Sequence, residues 1–112
     1  MSILTSQNDG VFIVMPNGRL DTNTSPEAEQ VIVAAIDNGQ TKIAVDFAKT
    51  EYISSAGLRV VLKTAKLLKP KNGAVVLCNA NEQIHEVLEI SGFLNMVKCF
   101  DSLDKATASL NG

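Results

Sequence analysis

The chain has 112 residues, of which 46% are hydrophobic and 20% are charged, and its formal net charge is −2. A chain of this size and composition can bury one hydrophobic core, so we expect a single domain over residues 1–112. The charge provides no general attraction to nucleic acid or anionic lipid, and no apolar run approaches the roughly 20 residues of a membrane span, which favours a cytoplasmic protein that binds another protein rather than nucleic acid or a membrane.

The first predicted elements are two antiparallel strands. Apolar segments around Ile3-Leu4 and over residues 11–15 flank Asn8-Asp9-Gly10, whose composition favours the positive φ angles of a tight hairpin turn. We expect a polar loop over residues 19–24 to follow the second strand.

A helix is predicted next, because Ser25-Pro26-Glu27 has the order of a capping serine, a first-turn proline and an acidic residue. This helix should run from Pro26 to about Asn38, where Gly39 ends it. Residues 42–47 then form a β-branched run suited to a central strand, and residues 48–51 form a loop.

The second helix is predicted from Ser55 to Leu68, because apolar residues recur along one face until a Pro- and Gly-containing segment ends the pattern. That face comprises Leu58, Val61, Leu62, Ala65 and Leu68. The elements predicted after it are a strand over residues 74–79, a helix over 82–90, a strand over 96–100 and a helix from Ser102 to about Leu110.

This alternation implies right-handed crossovers and therefore an α/β fold with a mixed, mostly parallel sheet, in which the N-terminal hairpin lies at the edge. Binding sites in such sheets lie at the carboxyl ends of the strands, where the helices begin. The loop around Asp21 and the serine pair Ser54-Ser55 both fall on that rim.

Ser54 and Ser55 lie at the predicted start of the second helix, where unpaired backbone N–H groups and the helix dipole favour an anion. A phosphate attached there would add about −1.5 to −2 charges and could accept hydrogen bonds from those N–H groups. The alternative is that one serine only caps the helix, as serine commonly does. Spacing alone favours the capping role.

Gly57 is an unusual residue for this position, since glycine inside a helix costs about 0.5–1 kcal/mol relative to alanine. Either a neighbouring element packs closely on it, or a partner must approach the serines across it. We expect Ser54-Ser55-Ala56-Gly57 to form a flat, accessible patch bordered by Leu58 and Arg59. The sequence leaves packing and access as open alternatives.

Catalysis and cofactor binding find no support in the motifs. Cys78 and Cys99 each lie in a predicted strand, without a Cys-x-x-Cys motif, so two buried free thiols are expected. His85 has no second histidine or cysteine at ligand spacing, so we expect a surface residue. The chain lacks the Gly-x-Ser-x-Gly elbow of esterases and the glycine-rich motifs of nucleotide-binding proteins. We therefore predict a binding protein with no enzymatic activity, no cofactor and no metal.

The motifs together resemble a known family. Their order and spacing are similar to those of the STAS domain of bacterial anti-sigma factor antagonists, and the similarity covers nearly the whole chain. The segments that carry it are Gly18-Arg19-Leu20-Asp21, Ile43-Ala44-Val45-Asp46-Phe47, Tyr52-Ile53-Ser54-Ser55-Ala56-Gly57-Leu58, Val75-Val76-Leu77 and Ile90-Ser91-Gly92-Phe93.

The resemblance implies a partner-switching function. In that family, the unphosphorylated antagonist sequesters an anti-sigma factor that is also a serine kinase, phosphorylation ends the binding, and a PP2C-type phosphatase restores it. The family pattern Asp-Ser-Ser/Thr-Gly-Leu places the phosphate on Ser55 and leaves Ser54 where an aspartate is usual. The partner surface implied by the resemblance comprises Asp21, Thr22, Thr24, Ser54, Ala56, Gly57, Leu58 and Arg59.

Several alternatives stay open at this level. Ser54 is a second possible phosphate acceptor, and a STAS protein that is not phosphorylated could serve as an adaptor subunit of a transporter or signalling complex. A serine hydrolase is a remote third possibility, since its base would have to be His85, several elements away from the serines. A monomer is the default expectation for the oligomeric state.

Overall fold

The computed structural model describes residues 3–112, and seven strands form two sheets within this range. The strands are β1 (Ile3–Asn8), β2 (Val11–Pro16), β3 (Gly18–Leu20), β4 (Lys42–Asp46), β5 (Thr50–Ile53), β6 (Ala74–Cys78) and β7 (Cys99–Phe100). The main sheet has the order β1-β2-β4-β6-β7, with β1 antiparallel to β2 and the other neighbours parallel. The predicted mixed, mostly parallel α/β sheet with an edge hairpin is therefore confirmed.

Four α-helices cover the two faces of this sheet unequally. They are α1 (Ser25–Asp37), α2 (Ser55–Leu68), α3 (Glu82–Ile90) and α4 (Leu103–Asn111). Alternate strand residues point to opposite faces, so Ile43 and Val45 join a large core beneath α1, α2 and α3, whereas Ala44 joins a smaller one beneath α4. Three helices therefore share one face of the main sheet, and α4 covers the other.

The predicted hairpin turn and the predicted bounds of α2 agree with the structure, but the predicted buried face of α2 does not. Asp9 and Gly10 both have positive φ, at 54° and 78°, as the hairpin prediction requires. The bounds of α2 agree with the predicted Ser55–Leu68. Its buried residues are Gly57, Val60, Val61, Thr64 and Leu68, so the predicted apolar face is rotated, with Leu58, Leu62 and Ala65 only half-buried.

Two short strands were not predicted. Residues 18–20 and 50–53, assigned largely to loops, form β3 and β5, which pair in parallel as a separate two-stranded sheet. The pairing is closed at one end by Gly18 N–H, which donates to Lys49 O at 2.8 Å, and at the other by Ser54 N–H, which donates to Leu20 O at 3.0 Å. Strands of three and four residues are too short to show a periodicity.

Two further predictions were wrong in detail. Ser25 does not cap α1: it is the first helical residue and is buried, and Thr24 precedes it as the cap residue. The predicted strand over residues 96–100 shrinks to Cys99–Phe100, because a 3₁₀ turn over Phe93–Asn95 precedes it and leaves Met96 62% exposed.

Candidate functional site

The two adjacent serines at the start of α2 have different roles. Ser54 has extended backbone, and its Oγ accepts a hydrogen bond from Ala56 N–H at 3.2 Å, so it caps the helix. Ser55 is the first helical residue; it is exposed, and no described residue forms a hydrogen bond with its hydroxyl. The first turn of α2 contains no acidic residue. The structure thus leaves Ser55 as the free hydroxyl at a positive helix end.

Gly57 is needed for packing. It is buried, and a Cβ at this position would lie 2.7 Å from Ile53 Cγ1 and 2.9 Å from Leu20 O. A side chain at this position would therefore force the Leu20 carbonyl and the Ile53 side chain to shift. The prediction that Gly57 belongs to an accessible patch is wrong; the exposed part of this segment is Ser55, with Ser54 and Ala56 half-buried beside it.

The loop that enters α1 is held by its own side chains. Asp21 Oδ1 accepts from the N–H groups of Asn23 at 3.0 Å and Thr24 at 3.3 Å, while Thr24 Oγ1 donates to Arg19 O at 2.6 Å. The Asn23 N–H is the main cause that lowers the pKa of Asp21, so its carboxylate is ionised at neutral pH. Thr24 consequently stabilises the loop rather than the first turn of the helix.

The β3–β5 pair joins this loop to the serines. In this pair Arg19 lies opposite Tyr52, and the Arg19 guanidinium carbon is 4.4 Å from the centre of the Tyr52 ring, within the range of a cation–π contact. Beyond the pair, Thr22 from the loop and Ala56 and Arg59 from α2 line one cleft of about 370 Å³. Three residues of the predicted partner surface are thus brought together, at the N-terminal ends of two helices.

Two polar residues of the α3 region anchor β5, and sequence reasoning missed both. Asn81 Nδ2 donates to the carbonyl oxygens of Thr50 at 3.3 Å and Glu51 at 3.1 Å, and Gln83 Oε1 accepts from Ile53 N–H at 3.3 Å. Asn81 also caps α3 through Ile84 N–H. A capping role for Asn81 could have been predicted from its position before a helix, but its contact with a strand 30 residues away could not.

The cysteines and the histidine lie apart from the serine face. Cys78 is buried and Cys99 half-buried; both are free thiols, and burial raises both pKa values, that of Cys78 to about 12 with a further contribution from Asp46. His85 is exposed. Residues 3–112 contain no group of three or more His, Cys, Asp or Glu side chains placed to hold a metal ion. Within the same range, no helix combines the length and apolar character needed to cross a membrane.

Comparison with known proteins gives a consistent family. The model of the STAS domain matches residues 2–106. The chain is 36% identical over 109 residues to BtrV of Bordetella bronchiseptica, provisionally named an anti-sigma factor antagonist, and this match covers 97% of the chain and 94% of BtrV.

Two solved structures show the same fold. The crystal structure of a Thermotoga maritima protein, also provisionally described as an anti-sigma factor antagonist, superposes with a TM-score of 0.93 at 23% identity, covering 98% of this chain and 95% of that one. The Bacillus cell fate determinant SpoIIAA in its phosphorylated form superposes with a TM-score of 0.76 at 20% identity, covering 96% and 98%.

Proposed function

Because the chain belongs to the STAS domain family, we propose that it is an anti-sigma factor antagonist whose partner binding is switched by phosphorylation of Ser55. In this proposal the unphosphorylated chain sequesters an anti-sigma factor that is also a serine kinase. The kinase transfers phosphate from ATP to Ser55 Oγ, the complex dissociates, and a PP2C-type phosphatase hydrolyses the phosphoserine. The proposed function requires the chain to be cytoplasmic and assigns it no catalysis of its own.

One observation carries the choice of acceptor. Ser54 already uses its hydroxyl oxygen to cap α2, whereas the Ser55 hydroxyl is exposed and forms no hydrogen bond with the described residues. A kinase must bring the γ-phosphate in line with the attacking oxygen, and an exposed hydroxyl permits this approach without breaking a cap. This favours Ser55 over Ser54.

The surroundings of Ser55 suit both states of the switch. The free N–H groups at the start of α2 and the lack of an acidic residue in its first turn accommodate a phosphate. The neutral Ser54, in the position where the family usually has aspartate, adds no repulsion. Phosphorylation is therefore expected to leave the fold in place and to act at the interface.

The electrostatic cost at that interface is large enough to end binding. The proposed surface comprises Ser55, Ala56 and Arg59 on α2 with Thr22 on the facing loop; Asp21 and Thr24 shape the loop, and Leu58 borders the surface half-buried. Burying a phosphate whose remaining charge no group of the partner pairs carries an effective penalty of several kcal/mol, and about 2.7 kcal/mol already lowers affinity a hundredfold. A single phosphate at Ser55 is thus sufficient without a change of fold.

The test compares the unmodified chain with a fully phosphorylated one, prepared with the anti-sigma factor kinases of the same organism and ATP. We expect a mass increase of one phosphate, mapped to Ser55, and at least a hundredfold loss of affinity for the kinase. The phosphatase should restore the affinity. Equal affinities of the two forms would rule out the switch, and absence of phosphate incorporation with every candidate kinase would favour the adaptor alternative.

A further inference from the structure

The β6 strand has an open edge at the opposite end of the sheet from the serines. Strand β7 pairs only with the last two residues of β6, Leu77 and Cys78, so residues 74–76 have a strand neighbour on the β4 side alone. The edge is open because the chain before β7 turns into the 3₁₀ segment Phe93–Asn95 instead of extending along β6.

The backbone of Val75 points into this opening. In β6, the N–H groups of even-numbered residues face β4; the Ala74 N–H, for example, donates to Thr41 O at 2.9 Å. The N–H groups of odd-numbered residues face β7, and the Leu77 N–H donates to Lys98 O at 2.9 Å. Val75 faces the β7 side by this alternation, and no described residue forms a hydrogen bond with its N–H or C=O on that side. Unpaired groups of a strand edge are a template for another strand.

Two depressions flank Val75, one on each face of the sheet, and we call them together the β6 edge groove. The depression towards α2 has a volume of about 500 Å³ and includes Ala65, Lys69 and Val97 in its lining. The one towards α4 has a volume of about 330 Å³ and includes Lys98 and Leu110. Ala74, Val75 and the exposed Met96 line both depressions. Consecutive side chains of an extended segment point to opposite faces, so they would enter the two depressions in turn.

The positive charge around the groove favours a binding segment that carries acidic residues. Lys69 and Lys98 are exposed at its two sides, and among the described residues that line either depression there is no aspartate or glutamate. This local positive charge contrasts with the net charge of −2 of the chain. A second copy pairing through the same edge would bring these lysines together, which disfavours self-association. The other edge of the sheet, β1, is occupied mostly by exposed polar residues.

We propose that the β6 edge groove binds an extended segment of a partner protein by strand addition, with two or three adjacent apolar residues at its centre and acidic residues on both sides. The Val75 N–H donates to a carbonyl of that segment and the Val75 C=O accepts from one of its N–H groups. Adjacent apolar side chains fill the depressions, and the flanking carboxylates face Lys69 and Lys98. Strand addition of this kind takes affinity from the backbone and specificity from alternate side chains.

The first experiment measures binding of the fluorescein-labelled peptide Glu-Asp-Val-Leu-Val-Asp-Glu by anisotropy. The paired change Lys69→Glu with Lys98→Glu is expected to weaken binding at least tenfold, whereas Lys49→Glu with Lys105→Glu, equal in charge change, should leave it within twofold. Met96→Asp should weaken binding, and Leu4→Asp on the β1 edge should not. Equal effects of test and control pairs would overturn the proposal, because binding would then follow net charge alone.

The second experiment tests the backbone pairing. A peptide N-methylated at its three apolar residues should bind at least tenfold more weakly than the parent peptide. In the free chain the Val75 amide hydrogen should exchange with solvent at least tenfold faster than the Leu77 amide hydrogen. Saturating peptide should slow exchange at Val75 to a rate similar to that at Leu77. A Val75 amide already as protected as Leu77, or full binding of the methylated peptide, would overturn strand addition. Concentration-dependent dimers that Met96→Asp dissociates would show instead that a second copy occupies the groove.

Discussion

The starts of α1 and α2 present the same residue type in opposite environments. Both helices have serine as their first residue, preceded by a hydroxyl-bearing cap position. Ser25 is buried and its Oγ has no hydrogen-bond partner within residues 3–112, whereas Ser55 is exposed. Of the two preceding residues, only Ser54 caps its helix with its side chain, because Thr24 bonds the Asp21 loop instead.

This comparison shows that the packing around a helix start decides whether a serine there is exposed to solvent. Ser54 caps α2 with its own hydroxyl, the Ser55 hydroxyl is exposed, and the close contact of Gly57 with Leu20 and Ile53 holds the helix end beside β3 and β5. At α1, the same first position turns inward, into the cleft wall between the two helices. Accessibility, rather than residue type or helix dipole, therefore distinguishes Ser55, the proposed phosphate acceptor, from Ser25.

The largest expected effect is on phosphate incorporation. Ser55→Ala should abolish labelling by the partner kinase, because it removes the only proposed acceptor, while kinase binding should persist in the presence of ATP. Ser25→Ala, which removes the buried counterpart, should be labelled like the unmodified chain. Quantitative intact mass after incubation with ATP measures both. Normal labelling of Ser55→Ala together with loss of labelling in Ser54→Ala would move the acceptor to Ser54.

The next largest effect is expected on the free energy of unfolding when Gly57, the third residue of α2, is replaced. Gly57→Ala should lower the free energy of unfolding by about 1–3 kcal/mol, because the new methyl group collides with Leu20 and Ile53 in a packed region. At the exposed Ala34 of α1 the preference should reverse, with Ala34→Gly losing about 0.5–1 kcal/mol. Urea unfolding monitored by circular dichroism gives both values. An unchanged stability of Gly57→Ala would show that the region relaxes and that the glycine is not required for packing.

A smaller effect separates the two serines of α2 by stability. Ser54→Ala should lose about 1 kcal/mol, the typical contribution of a capping side chain, whereas Ser55→Ala should stay within about 0.5 kcal/mol of the unmodified chain. The same urea titrations measure the two variants side by side. Equal losses would contradict the division of roles between cap and free hydroxyl.

The smallest effect is expected from phosphorylation itself on the stability of the free chain. A negative group at a helix N-terminus typically stabilises by about 0.3–1 kcal/mol, so the phosphorylated chain should melt at the same temperature or slightly higher. Differential scanning calorimetry of both forms, in the same buffer, provides the measurement. A fall of many degrees would mean that the switch works by unfolding and not by blocking an interface.

The sequence predicted those parts of the fold that depend on local pattern. The bounds of α2 followed from apolar periodicity, and the hairpin turn followed from Asn8-Asp9-Gly10, because these signals act within a few residues. The pairing of β3 with β5 has no comparable signal, since it joins Gly18 to Thr50 across the whole of α1 and β4.

The candidate site was predictable in its place but not in its detail. The helix signals placed the serine pair at the start of α2, as the structure has it, but which serine caps depends on the extended backbone of Ser54. Likewise, the choice between packing and access at Gly57 depends on Leu20, which is 37 positions away in the sequence and reaches the helix only through the β3–β5 pair. A tertiary contact thus decided the role of Gly57, and a local backbone conformation decided which serine caps the helix.

The length of α2 separates the proposed partner surface at Ser55 from the β6 edge groove. The helix has 14 residues and, at a rise of about 1.5 Å per residue, spans about 20 Å from Ser55 to the turn that contains Lys69. At physiological ionic strength the Debye length is about 8 Å, so charges at the two ends of the helix are largely screened from each other. A phosphate on Ser55 would therefore leave the electrostatic environment of Lys69 almost unaffected. Under the two proposals above, α2 separates the partner at the β6 edge groove from the partner at Ser55, and phosphorylation would affect only the binding of the latter.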